Sequence, residues 1–133
     1  MALDLIKNYK TDKNKEIEGI WEDFGEGCRI LIARMGNPKY VEAFRKISKP
    51  HAKAMRRGTL KEEIAERIMN EALAEAIVLG WEGLEENGVE VPYNKENCMR
   101  ILTTYKDLKD QIQDIAGSME VFKADQDEEA VGN

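Results

Sequence analysis

Histidine and cysteine are nearly missing from this chain: His51 stands alone, and the only thiols are Cys28 and Cys98. A structural zinc site takes four Cys or His ligands. A di-iron helix bundle takes Glu-x-x-His on two helices. Neither pattern occurs, so no metal and no cofactor is expected. Two cysteines in dissimilar contexts make no disulfide framework; they read as small apolar residues in a reduced cytoplasm. Long apolar runs are missing too. Ala76-Ile77-Val78-Leu79 is the longest strongly apolar stretch, far short of the roughly 20 residues a bilayer span needs. The opening residues, Met1-Ala2-Leu3-Asp4-Leu5-Ile6-Lys7, hold neither a long apolar core nor a cleavage site and do not read as a signal peptide. Positive charge is in deficit: Lys+Arg 20 against Asp+Glu 26 gives a net charge of −6. That balance argues against nucleic acid or a membrane as the main partner, since both reward excess Lys and Arg.

What is present suits one globular domain. The 133 residues are 42% hydrophobic and 35% charged, and a chain of this length buries about two-thirds of its unfolded surface without disulfides or metals. The expected fold is mainly α, a small helical domain with a short N-terminal β-hairpin. Residues 1–15 are Lys-rich and aperiodic after Ile6 and are expected as a flexible arm. Residues 16–124 form the helical domain, and the acidic, aperiodic stretch 125–133 is expected to be disordered.

Along the chain, Ile17, Ile20, Trp21 and Phe24 precede Gly25-Glu26-Gly27, and Cys28-Arg29-Ile30-Leu31-Ile32-Ala33 follows. Two β-rich runs around a glycine turn predict a hairpin, with Cys28, Ile30 and Ile32 on one face. Asn37-Pro38 predicts a helix start, with Tyr40, Val41, Phe44 and Ile47 as its stripe, and Pro50 should kink or end that helix. Thr59-Leu60-Lys61-Glu62 has the form of a capping box. The helix it opens would carry Leu60, Ile64, Ile68, Ala72, Leu73, Ala76, Ile77 and Leu79, with Gly80 as C-cap. Residues 81–93 then read as a loop with an Asn87-Gly88 turn and a short strand at 89–91. Asn94 caps a short helix with Cys98, Ile101, Leu102 and Tyr105 inward, and Asp107 is expected to cap the last helix. There Leu108, Ile112, Ile115, Met119 and Phe122 alternate steps of four and three. That spacing makes a seam, buried in the domain or against another chain.

Each candidate chemistry meets a plainer explanation. Cys98 with His51 is the only thiol–imidazole combination, but Cys98 is expected to face the core. Glu62, Glu63, Glu66, Glu71 and Glu75 interleave with Lys61 and Arg67 as a solvated face rather than an acid/base pair. Gly25-Glu26-Gly27 lacks the Lys-Ser/Thr and the following helix of a phosphate loop. Arg45, Lys46, Lys49, Lys53, Arg56 and Arg57 are either a solvated helix face or an anion-facing patch for an acidic partner or the chain's own acidic tail. Trp21 and Trp81 are candidate partner anchors or core residues with a bonded indole N–H. No enzyme is expected.

The run Ile20-Trp21-Glu22-Asp23-Phe24-Gly25-Glu26-Gly27-Cys28-Arg29-Ile30, continuing to Gly36-Asn37-Pro38-Lys39-Tyr40, resembles the hairpin-to-helix segment of tail assembly chaperones of long-tailed bacteriophages. Glu71-Ala72-Leu73-Ala74-Glu75-Ala76-Ile77-Val78-Leu79-Gly80-Trp81, then Asn87-Gly88-Val89-Glu90-Val91-Pro92-Tyr93-Asn94, is similar to the centre of the same family. The resemblance spans most of residues 16–120 and rests on the order and spacing of its motifs. It implies a non-enzymatic protein that binds the tape measure protein, keeps it soluble and helps recruit tail tube subunits. The tube protein would be reached through a longer, frameshifted form. The resemblance further implies action in the cytoplasm of an infected bacterium and absence from the mature virion, and a homo-oligomer is compatible with it. The family supplies no catalytic residues. The seam Leu108, Ile112, Ile115, Met119 and Phe122 is the leading partner-binding candidate, since Met and Phe adapt to varied partners. The alternatives are a structural tail completion or connector protein of the virion, and a small regulator that binds nucleic acid through residues 45–57.

Overall fold

The structure, a computed structural model, describes residues 1–124. The expectation for residues 125–133 lies outside the described residues. In chain order the elements are α1 (Leu5–Tyr9), α2 (Lys13–Glu18), β1 (Ile20–Gly25), β2 (Cys28–Ile32), α3 (Pro38–Ser48), α4 (Ala52–Arg57) and α5 (Glu62–Ala76). They continue with β3 (Val78–Glu82), β4 (Glu85–Glu86), β5 (Val89–Glu90), α6 (Lys95–Thr104) and α7 (Lys106–Ala116). Short 3₁₀ turns occupy Lys49–His51 and Met119–Phe122.

The first hairpin forms as its pattern predicts. Glu26 and Gly27 have φ of 54° and 79°, the left-handed pair that matches the twist of a two-residue hairpin loop. Cys28, Ile30 and Ile32 are 9%, 1% and 0% exposed, so alternate residues of β2 point inward.

The mainly helical expectation is corrected by the strands that follow. The fold is α+β, with an antiparallel three-stranded sheet in the order β1-β2-β3 and a separate β4–β5 hairpin. The central helix stops at Ala76, and the run expected as its apolar end becomes β3, pairing Val78 with Ile32 and Trp81 with Ile30. Branched Ile77 and Val78 fit a pleated surface better than a crowded helical turn. Both are almost wholly buried, so their backbone polar groups must find partners. Ile77 carbonyl accepts from the Ala33 N–H at 2.8 Å, and Val78 joins the sheet.

The core lies between the inner face of the sheet and helices α5, α6 and α7, with Leu73, Ile77, Val78, Cys98, Leu102 and Ile112 all 2% exposed or less. Each such aliphatic side chain contributes about 1.5–3 kcal/mol by leaving water. Asn37 ties α3 to this core. Its Oδ1 accepts from the Lys39 and Tyr40 N–H groups at 2.8 and 3.1 Å, and its Nδ2 donates to Arg34 carbonyl at 2.8 Å and Ala76 carbonyl at 3.4 Å. Val41, expected on the buried stripe of α3, stays exposed, while Ala43 is buried. The helix tightens into the 3₁₀ turn Lys49–His51, which contains Pro50, and resumes as α4.

Two expected caps are replaced. Thr59 closes α4 instead of opening α5: its N–H donates to Ala54 carbonyl at 2.9 Å, after Gly58 at φ 68°, and Lys61 occupies the N-cap of α5. Asp107 lies within the first turn of α7, because α6 and α7 share Tyr105 as their boundary residue. Residues 1–15, expected as a flexible arm, contain α1 and the first half of α2, capped by the carboxylates of Asp4 and Asp12. This segment meets the 3₁₀ turn Met119–Phe122: the Asp12 N–H donates to Phe122 carbonyl at 2.8 Å, and the Ala124 N–H to Lys10 carbonyl at 3.1 Å.

Gly83, just after β3, has φ of 74° and lies against the first hairpin turn. A Cβ there would sit 2.3 Å from Gly27 carbonyl oxygen.

Candidate functional site

The seam does not form one open stripe. Ile112 and Phe122 are buried at 2% and 0% exposure, while Leu108, Ile115 and Met119 are half-buried. Helix α7 ends at Ala116, and Gly117 and Ser118 turn the chain so that Met119 and Phe122 belong to the following 3₁₀ turn. Leu108, at the start of α7, opens onto a cavity.

That cavity is a groove between the β4–β5 hairpin and the α6–α7 junction. It has two lobes, of about 470 and 530 Å³, which share Leu84, Glu85, Asn87 and Leu108. One lobe reaches Phe24, Cys28 and Ile30 beneath the first hairpin; the other reaches Ile101 and Tyr105. The β4–β5 wall is shaped by Asn87 and Gly88, with φ of 50° and 79°, the turn that Asn-Gly favours. Tyr105, expected inward, is 42% exposed at the rim.

A polar latch fixes this wall to α6. The Glu86 carboxylate takes two bonds from Arg100, at 3.0 and 2.7 Å, and one from the Tyr105 hydroxyl at 2.5 Å. The Arg100 hydrogen bonds, followed by that of Tyr105, hold the Glu86 carboxyl below the ordinary glutamate value. A carboxyl with a depressed folded pKa contributes stability above its unfolded pKa and loses it as pH falls through the folded one. The latch is therefore expected to be intact at neutral pH and to release only in acid below the usual glutamate range. In a side-chain NMR titration, Arg100→Met should move the Glu86 midpoint upward; an unchanged midpoint would mean the pair does not persist in solution.

Trp81 is 8% exposed. Its indole N–H donates to Val91 carbonyl at 2.7 Å, and the Tyr93 ring meets it edge-on at 4.9 Å. Trp21, by contrast, is 41% exposed on the outer face of the sheet, with the Arg29 guanidinium 4.3 Å from its ring centroid. Arg29 in turn bonds Glu82 at 2.7 Å. Trp21 and the groove therefore occupy different surfaces.

The basic residues gather on the stretch 38–61, where Lys39, Arg45, Lys46, Lys49, Lys53, Arg56, Arg57 and Lys61 face the single carboxylate Glu42. Glu42 pairs with Arg45 at 2.7 Å and with Lys46 at 3.8 Å. Lys49, Lys53, Arg56 and Arg57 are exposed and have no ion pair among the described residues. Helix α4 contains no buried residue.

Burial pushes the Cys98 thiol up to about 12 and raises that of Cys28, with the Asp23 charge adding to it. Cys98 is fully enclosed in the core while His51 is half-buried in the turn after α3. Glu62, Glu63, Glu71 and Glu75 are exposed, and Glu75 pairs with Lys95. Among the described residues no group of three or more His, Cys, Asp or Glu could hold a metal ion, and no helix is long and apolar enough to cross a membrane.

Sequence reasoning found Leu108 but missed Leu84 and Tyr105 as its groove partners. The Asn87-Gly88 turn was the available signal, since a hairpin there must fold its flanking apolar residue back on something.

A family model described as YdaY prophage protein matches residues 35–133, from just before α3 onward. No curated protein and no solved structure matches the chain.

Proposed function

Because the chain belongs to the YdaY prophage protein family, and so is of phage origin, we propose that it is a tail assembly chaperone: it binds the tape measure protein, keeps it soluble and helps bring tail tube subunits to it. The resemblance of its hairpin-to-helix and central segments to such chaperones supports this reading. The structural observation that carries it is the apolar groove around Leu108. Helix-in-groove recognition needs an open apolar trough with polar edges, and here Leu84, Ile101 and Leu108 line a trough edged by Glu85, Asn87 and the Glu86 latch. Of the seam residues, Leu108 would meet the partner, while Ile112 and Phe122 are buried in the interior. The protein would act in the cytoplasm of the infected bacterium and leave before the virion is complete. A longer, frameshifted form would contact the tube protein.

The test is co-expression with the tape measure protein encoded nearby, followed by pull-down from the soluble fraction. Co-purification is expected, with Leu84→Lys or Leu108→Lys reducing it in variants whose circular dichroism is unchanged. A folded protein that neither binds nor solubilises the tape measure protein would overturn the reading. Proteomics of purified particles provides the second arm: stoichiometric presence there would favour the alternative, a tail completion or connector protein.

A further inference from the structure

We propose that the segment bearing Arg45, Lys46, Lys49, Lys53, Arg56 and Arg57 is a second docking surface, built for an acidic segment of a protein partner. The first support is the segregation of charge. A chain of net charge −6 places these six cations within thirteen consecutive positions, 45–57, that contain no carboxylate. The remaining surface is correspondingly more acidic than the total suggests.

The second support is that the fold makes little use of the segment. No residue of α4 is buried, and Met55 beside these cations is 41% exposed. Cations in the last turn of a helix favour its dipole, which accounts for Arg45, Lys46, Arg56 and Arg57. Lys49 is the C-cap of α3 and falls under the same effect, but Lys53 is at the second position of α4, where the dipole does not favour it. Four of the six have no ion pair among the described residues.

The partner's chemistry follows from the rest of the surface. Duplex DNA carries a phosphate charge about every 1.7 Å along its whole length, so phosphates beyond the basic segment would face the acidic remainder of the protein. An acidic protein segment brings its charge only where the cations are, and complementary patches of this kind speed and orient association. The proposal does not depend on the chaperone reading or on the groove, which lies among other elements.

The experiment is fluorescence anisotropy with a labelled poly-glutamate peptide on the full chain, at low and at physiological salt. Binding is expected, weaker as salt rises. Lys53→Glu/Arg56→Glu/Arg57→Glu should reduce affinity by about tenfold or more, with only a small drop in thermal midpoint, because the three side chains are exposed and what the fold loses is the favourable interaction of Arg56 and Arg57 with the α4 dipole. Lys13→Glu/Arg67→Glu/Lys106→Glu makes the same change in net charge at exposed sites elsewhere and should stay within about twofold of the parent. Three results would overturn the proposal: no binding by the parent chain, an equal loss in both triple variants, or tighter binding to a duplex DNA oligonucleotide that the first triple variant abolishes. The last would make the segment a nucleic-acid surface.

Discussion

Gly83→Ala is expected to cost about 2–5 kcal/mol of folding stability, read as a lowered urea midpoint with an unchanged slope. Two causes add. An alanine held at φ 74° pays about 1–2 kcal/mol for the left-handed backbone. The new methyl would also lie 2.3 Å from Gly27 carbonyl oxygen and 3.0 Å from its carbon. Those are backbone atoms of a tight turn, so relief requires the end of β3 to move off the first hairpin. Gly58→Ala isolates the first cause: Gly58 has φ of 68° and nothing within 4 Å of its added Cβ, so only the backbone cost of about 1–2 kcal/mol applies. Equal losses in the two variants would show that the Gly83–Gly27 approach carries no energy.

Phe122→Ala should be nearly as damaging, at about 3–5 kcal/mol. Phe122 is 0% exposed although it belongs to a four-residue 3₁₀ turn at the edge of the described chain. The half-buried Met119 in the same turn should cost clearly less on replacement by alanine. The comparison bears on the seam directly. A Phe122→Ala protein with an unchanged thermal midpoint that no longer retained the tape measure protein would make Phe122 a partner anchor; the burial assigns it to the interior. Leu84 and Leu108 are therefore better probes of binding than Phe122, because they line the groove and Phe122 does not.

The parts of the fold legible in sequence are those decided within a few residues. Gly25-Glu26-Gly27 between β-rich runs specifies a turn and, through the period of two, the buried face Cys28, Ile30 and Ile32. Asn37 before Pro38 and Asn94 before Lys95 both cap as read, each accepting backbone N–H bonds of the helix it opens. The parts that were not legible depend on distant partners. Periodicity cannot distinguish the end of a buried helix from a short buried strand, and Val78–Glu82 becomes a strand because β2 offers it a pairing edge. Thr59 satisfies the local pattern of a capping box, yet Gly58 has already turned the chain so that Thr59 bonds back to Ala54. Helices α1 and α2 are five and six residues long, too short to show an apolar period. The candidate site divides in the same way. The basic segment is a run in the sequence, whereas the groove joins Phe24, Leu84, Ile101 and Leu108 from four separate regions.

The placement of β3 also shapes the order in which the chain can fold. β1 and β2 are joined by two residues, but Ile32 and its partner Val78 are separated by all of α3, α4 and α5. Closing a loop of that length in place of a two-residue turn costs on the order of 2–3 kcal/mol more in chain entropy, and this must be met before the sheet gains its third strand. The hairpin can therefore close before the third strand arrives, with Cys28, Ile30 and Ile32 uncovered, and packing of α3 against α5 shortens the gap by compacting the intervening chain. The third strand, Val78–Glu82, thus joins the sheet across the longer of its two connections. On a ribosome the first hairpin must wait for that segment to emerge, with its apolar face open to any other strand in the meantime.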